Sequence, residues 1–328
     1  MPRLAIPNSA ALHNIRAFVG KNHPFTDDGL DEAILEFHPG WVHVEPVALA
    51  MAAAWGRWAH RRGYTLRAVN LGRKTAYAGR MRLFEHLGID FDPGLQEHES
   101  AGRFVPLTQI VDSQDVARVL GDISALLHLQ DDPETLTAVQ YCVSELLRNV
   151  LEHSESPDGA FVCAHRFTTS EPHRVTIAVA DCGQGIGHHL GRAYPEASTN
   201  DSLALGLAMQ PGITGALRGA YGAPDNAGAG LFITRSIAKG SGGYFFLLSG
   251  KAAFRLRRAR TDEEMSGLYV DPYDEPRHDR FQFDSGWRGT VVSVEIRTEK
   301  IAEYEGFFQW IRGRMPRRDS KREKIRFR

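Results

Sequence analysis

Three groups of residues carry the chemistry legible in this chain. Glu145, Asn149 and His153 recur at every fourth position, so on a helix they share one face, about a turn apart. A carboxylate and a carboxamide so placed can hold a divalent metal and an attacking water beside a phosphate, with the carboxylate as general base. The same spacing also describes a plain polar stripe on an amphipathic helix. A second group, Asp181-Cys-Gly-Gln-Gly-Ile-Gly187, follows the apolar run VTIAVA. An Asp at a strand end followed by Gly183, Gly185 and Gly187 offers an acceptor for an exocyclic amine and lets backbone approach a flat base such as adenine. Alternatively it is a glycine-rich turn whose Asp bonds its own backbone. The third, Asn226-Ala-Gly-Ala-Gly-Leu-Phe-Ile-Thr234, sets Gly228 and Gly230 just before an apolar helix that begins at Leu231. Free N–H groups and the positive end of a helix dipole would cradle a phosphate there, unless the glycines merely mark a flexible loop. Neither the G-x-x-x-x-G-K-[ST] loop nor the strand-to-helix G-x-G-x-x-G fingerprint fits this segment.

These groups need elements to position them. Apolar residues at Leu136, Val139, Val143, Leu146, Leu147 and Val150 recur at helical period and predict a helix from Pro133 to Glu152. Ahead of it, a strand over Phe104–Ile110 leads into a helix capped by Asp112 or Ser113 and running to about Leu129. Strands are predicted over Ala160–Phe167, Arg174–Ala180, Gly243–Ser249, Ala252–Leu256 and Thr290–Ile296 from their β-branched and aromatic content. The Gly-rich stretch from Gly183 to Gly230 contains a helix at Ser202–Met209, and Arg257 to Gly286 reads as a long charged loop. Nearer the N-terminus, the strand AILEF, a Pro-initiated helix from Pro46 to about His60, the strand TLRAVN and a helix over Thr75–Leu87 form a small α/β unit. The turn-rich FDPGLQEHESAG separates the two parts, so we expect domains at 1–100 and 101–300, followed by a C-terminal helix and basic tail at 301–328.

Composition removes whole classes of function. With 39 basic against 40 acidic residues the chain has no global pull towards nucleic acid or anionic membrane. The longest apolar run, Val47 to Trp55, is about half the length that crosses a bilayer, and the N-terminus lacks a signal peptide's apolar stretch. Cys142, Cys163 and Cys182 have no CxxC spacing, which argues against a disulfide framework or a cysteine zinc site. A cytoplasmic protein is expected.

The order of the three groups, with Gly242-Gly243 and Gly289-Thr290 strands after them, resembles the GHKL superfamily of gyrase, heat-shock chaperone, histidine-kinase and MutL ATP-binding domains. SELLRNVLEHS looks like its N-box, DCGQGIG its first glycine box and NAGAGLFIT its second. The similarity covers about residues 104 to 297. It implies a Bergerat-type α/β sandwich that binds ATP and Mg2+ between a helical layer and a lid. Carried residue by residue, it makes Asn149 the magnesium ligand, Glu145 the water-activating base and Asp181 the partner of the adenine amine. It also implies that Gly183, Gly185 and Gly187 shape the adenine pocket. Gly228, Gly230 and Leu231 would hold the triphosphate, Thr290 would lie behind the adenine, and His153 would reach a phosphate.

Within the superfamily, the stretch from Ala117 to Ser154 is most similar to the anti-sigma-factor serine kinases. A histidine kinase is disfavoured, since His128 lacks the acidic neighbour and the hairpin of a phosphoacceptor. Residues 30–92 resemble a degenerate STAS domain, but Val44-Glu45-Pro46-Val47 stands where a partner-switching STAS domain presents Asp-Ser. The resemblance therefore implies a regulatory protein that hydrolyses ATP or phosphorylates a partner, as an ATPase or a serine/threonine kinase. The alternative is a nucleotide-gated interaction module with little turnover. A regulatory protein partner and a homodimer are the expected associations, with no membrane. Nucleic acid would bind only through the tail Arg312–Arg328, where nine basic residues face two acidic ones.

Overall fold

The computed structural model describes residues 1–26, 29, 31–92, 103–126, 133–169, 171–213 and 228–300. The basic tail, His128, and residues 214–227 at the end of the segment between the two glycine boxes lie outside these residues. In the N-terminal part, β1 (Arg3–Ile6), β3 (Glu32–Phe37) and β5 (Thr65–Val69) form a three-stranded parallel sheet in that order. Two short strands, β2 (Ser9–Ala10) and β4 (His43–Val44), pair in parallel beside it, and α1 (Ile15–Gly20) follows β2. β1 was not anticipated, since RLAI is too short to show a period. Helix α2 (Pro46–Arg61) begins with Pro at its first position, where the missing N–H costs nothing. The expected helix over Thr75–Leu87 is instead two short ones, α3 (Ala76–Arg80) and α4 (Leu83–His86). Arg82 between them is left-handed, with φ of 62°, and the hydrogen-bond ladder cannot pass through it.

The second part is a five-stranded antiparallel sheet of order β6-β7-β8-β10-β9, built from β6 (Phe104–Ile110), β7 (Ala160–Phe167), β8 (Arg174–Asp181), β9 (Phe245–Leu256) and β10 (His278–Arg297). Helices α5 (Ser113–Leu126), α6 (Pro133–His153) and α9 (Gly230–Gly240) cover one face, while α7 (Gly185–Gly191) starts within the first glycine box and α8 (Asp201–Ala208) follows it. Asp112 caps α5, its Oδ1 accepting from Gln114 N at 2.8 Å and Asp115 N at 3.0 Å. Two expectations are corrected. The strands placed at Gly243–Ser249 and Ala252–Leu256 are one strand, β9, which passes through the turn-like Gly250. The loop placed at Arg257–Gly286 ends at His278, because Phe281, Phe283 and Trp287 pack on the core and draw that end into β10.

The sheet is apolar on both faces, which is why VTIAVA reads as a continuous run rather than an alternation. Val162, Ile177, Val179, Leu247 and Val294 point to the α5/α6/α9 layer. Phe161, Cys163, Ala178, Ala180, Phe246 and Leu248 point the other way and share a core with α2. That helix is buried from Pro46 to Gly56, and its alanines let it pack on β7, β8 and β10 while the small parallel sheet covers its far side. A helix apolar all round must be buried on all sides, and here it is the middle layer of the molecule. Polar ties cross the same junction. Arg61 pairs with Asp158 at 2.9 Å, and the Tyr77 hydroxyl lies 2.7 Å from His165 Nδ1.

Candidate functional site

Helix α6 places Asn149 and His153 on the wall of a cavity of about 120 Å³. Across from them stand Asp181 from the end of β8 and Gly185 and Ile186 from the start of α7. Gly228, Gly230 and Leu231 lead into α9, and Thr290 comes from β10. Residues far apart in the chain thus meet in one cavity whose remaining wall is mostly apolar, including Leu146, Val150, Val179, Leu190, Ile213 and Val292, with Ser154 and His189 as its polar members. Such a lining suits the flat face of a base, with few polar groups to fix its orientation.

Asp181 is the most informative of these groups. It is 1% exposed, and its Oδ1 accepts from Gly183 N at 2.7 Å, so the local turn described above does form. Its Oδ2, however, is buried without a hydrogen-bond partner. A buried acceptor left unpaired is costly unless something fills it, and a ligand amine is the missing donor. Burial pushes its carboxyl up to about 7, against the lowering effect of the Gly183 and Thr290 amides. Trp287 fixes the strand end by donating its indole N–H to the Asp181 carbonyl at 3.0 Å.

The structure separates the remaining predicted residues. Gly183 and Gly187 lie on the back of the loop, where with Gln184, His188 and Arg288 they line a second, open cleft. Glu145 does not reach the cavity wall. It is 7% exposed, its Oε1 is ion-paired with Arg148, and its Oε2 lies where a Cβ on Gly230 would be. Burial raises its carboxyl, and Arg148 counters that. The N-terminus of α9 therefore already faces a carboxylate, the charge its dipole favours.

Sequence reasoning missed several supporting residues. Ser249 Oγ accepts from Ile186 N at 2.9 Å and donates to the Gly289 carbonyl at 2.8 Å, tying the glycine-box loop to β10. His189 lines the cavity and stacks on His153 with ring centroids 4.2 Å apart. Burial, with His153 and Arg192 beside it, lowers its imidazole to about 4. Nothing in the spacing of Ser249 marks it, whereas the His188-His189 pair after a glycine box is at least a visible cluster.

The residues present fit a nucleotide, because the orphaned Asp181 Oδ2 and the glycine corner at α9 are matched to an amine and a phosphate. Among the described residues no group of three or more His, Cys, Asp or Glu could hold a metal by itself. Asn149 alone suits Mg2+, which takes one or two side-chain ligands and completes its shell from phosphate and water.

Residues 112–240 match the family model for the histidine kinase-like ATPase domain. No curated protein matches the chain. The match runs from the cap of α5 to the end of α9 and contains all three motif groups. With the five-stranded sheet and its helical layer it supports an ATP-binding domain of the GHKL type. No described helix is long and apolar enough to cross a membrane.

Proposed function

We propose that this protein binds ATP with Mg2+ in the cavity between α6, the loop after β8 and the start of α9. Its role on this reading is that of a regulatory protein which hydrolyses ATP or phosphorylates a partner. The observation that carries the reading is the unpartnered, buried Asp181 Oδ2 in a largely apolar cavity. Asp181 would accept the adenine amine, with Gly185 and Thr290 beside the base. Gly228, Gly230 and Leu231 would hold phosphate at the α9 N-terminus, and His153 would reach toward it. Asn149 would hold Mg2+, which when bound supplies charge neutralisation and alignment of the phosphates. Glu145 would take a proton from the attacking water or acceptor hydroxyl.

The anti-sigma-factor kinase likeness and the STAS likeness of the N-terminal unit belong to the same proposal. They rest on the E-x-x-x-N-x-x-x-H helix and on the strand-helix-strand-helix order. Glu45 is 5% exposed and accepts from Leu12 N at 3.0 Å, and the helix it begins packs on the sheet face opposite α6. A phosphoacceptor at that position would be buried and across the sheet from the cavity, so on this reading any acceptor would lie elsewhere, on a partner protein. A cytoplasmic setting completes this reading.

A second reading, a nucleotide-gated interaction module with little turnover, is favoured by the ion pair that engages Glu145. The deciding experiment incubates the protein with γ-labelled ATP and Mg2+ and follows free phosphate and labelled protein, wild type beside Glu145→Ala. Glu145-dependent phosphate release establishes the ATPase. Binding without either product establishes the gated module. Absence of binding removes both.

A further inference from the structure

We propose that Arg148 reads the terminal phosphate of the bound nucleotide and, in doing so, releases Glu145. The inference rests on the ATP-binding reading and concerns how that same site tells a triphosphate from a diphosphate.

Three observations converge on Arg148. Among the described residues that line the cavity, the only ionisable side chains are Asp181, His153 and His189. Among these described wall residues a polyphosphate would face no arginine or lysine, although its charge calls for one. Arg148 does not itself line the cavity, but its ion-pair partner Glu145 ties it to the Gly230 corner. It adjoins Asn149 in sequence, and its guanidinium pairs with Glu145. The carboxylate of Glu145 in turn abuts Gly230 at the N-terminus of the eleven-residue helix α9. Finally, the pair is asymmetric. The Glu145 side chain is 10% exposed and Arg148 is 42% exposed, so the arginine is the member free to move.

An arginine binds a phosphate through two parallel N–H donors and holds it more strongly than a single carboxylate contact. A terminal phosphate seated at Gly230 brings more negative charge than Glu145 does, and it draws the exposed guanidinium away. Glu145 is then left buried without its ion pair and becomes the nearby group able to accept a proton. In the hydrolytic version, water oxygen bonds to the terminal phosphorus as its proton passes to Glu145. The bridging P–O bond breaks with its electron pair going to the departing ADP oxygen. A protein hydroxyl replaces water if the transfer is to a partner. A diphosphate lacks the group that moves Arg148, so Glu145 stays engaged and the site stays idle.

The test measures the affinities of the full chain for Mg2+-ATP, Mg2+-ADP and adenosine by competition with a fluorescent nucleotide, for wild type, Arg148→Gln and Arg148→Lys. Wild type is expected to prefer ATP over ADP. Arg148→Gln should lose that preference by on the order of tenfold or more, with adenosine and ADP affinities within about twofold of wild type. Arg148→Lys, which keeps the charge without the fork, should recover part of it. Equal affinity of wild type for ATP and ADP overturns the proposal. So does an unchanged ratio in Arg148→Gln, or an equal loss for all three ligands, which would mark a structural role. If wild type binds none of the three, the ATP reading itself fails, and that result is distinct from failure at Arg148.

Discussion

Gly289 lies directly over Asp181. A Cβ at Gly289 would overlap Asp181 Oδ1 and its carbonyl oxygen, and the glycine adopts φ of +80°. The close approach lets β10 seal the back of the cavity and leaves Oδ2 as the unpaired side of the carboxylate. Gly289→Ala therefore carries two penalties, a left-handed backbone worth roughly 1–3 kcal/mol and a clash that turns Asp181 away. Thermal unfolding should show the loss of stability. Isothermal titration should show ATP affinity falling by at least tenfold, and a variant that unfolds at a lower temperature but binds normally would separate the glycine from the site.

Asp181 itself should make both stability and binding depend on pH. Its folded-state pKa of about 7 lies above the ordinary 3.8, so between those values the folded protein holds a proton that the unfolded chain has released. The contribution of Asp181 to stability is then greatest below about 4 and declines as pH rises towards 7, by about 1.4 kcal/mol per pH unit at most. Binding runs the other way on the proposed binding mode, in which the adenine amine needs the carboxylate as acceptor. Affinity for adenosine, which has no phosphate to titrate, should rise between pH 6 and pH 8. In Asp181→Asn both trends should flatten and binding should weaken. Denaturant titrations and competition binding across that pH range check the two trends separately.

The site was more legible in the sequence than the fold around it. Glu145, Asn149 and His153 share a helix, so their relation follows from a local period, and Asp181 and Gly230 each sit at the edge of an apolar element whose end is marked by glycine. Position within a loop was harder to read. Gly183 packs against the Ser154 carbonyl and Gly187, inside α7, against the Ala197 carbonyl, contacts distant in sequence that composition does not encode. Ser249 acts from a strand distant in sequence, through a hydrogen bond that no local pattern shows. The extra length of β10 was hidden because its polar half is held by pairing with β9 and by Phe281 and Phe283 docking on the N-terminal unit, both long-range effects.

Ser249→Ala tests how far that distant strand controls the glycine box. The hydroxyl is 3% exposed by residue and serves one donor and one acceptor, Ile186 N and the Gly289 carbonyl. Removing it leaves both backbone groups short of a partner, at a cost of about 1–3 kcal/mol. ATP affinity should drop severalfold while the secondary structure stays intact by circular dichroism. Hydrogen exchange should become faster at Ile186, the amide that has lost its acceptor, and protection equal to wild type there would show that another group had taken over.

The N-terminal unit is expected to be a structural requirement of the ATP-binding domain rather than a detachable module. Phe161, Cys163, Ala178, Ala180, Phe246 and Leu248 all face α2, and each is at most 1% exposed in the whole protein. Expressing residues 101–328 alone would uncover this contiguous apolar face, and an exposed patch of that kind drives association. The fragment should elute as soluble aggregate or higher oligomer in size exclusion, and it should bind a hydrophobic dye that the full chain does not. Within the intact chain, Trp55→Ala removes a fully buried indole whose N–H bonds the Pro24 carbonyl at 2.6 Å. It should destabilise the protein by about 3–5 kcal/mol. Because α2 is shared between the small parallel sheet and the large sheet, a single cooperative transition is expected in that variant. A well-behaved monomer from 101–328 with normal ATP affinity would instead mean that the sheet tolerates an open outer face and that the N-terminal unit has a separate task.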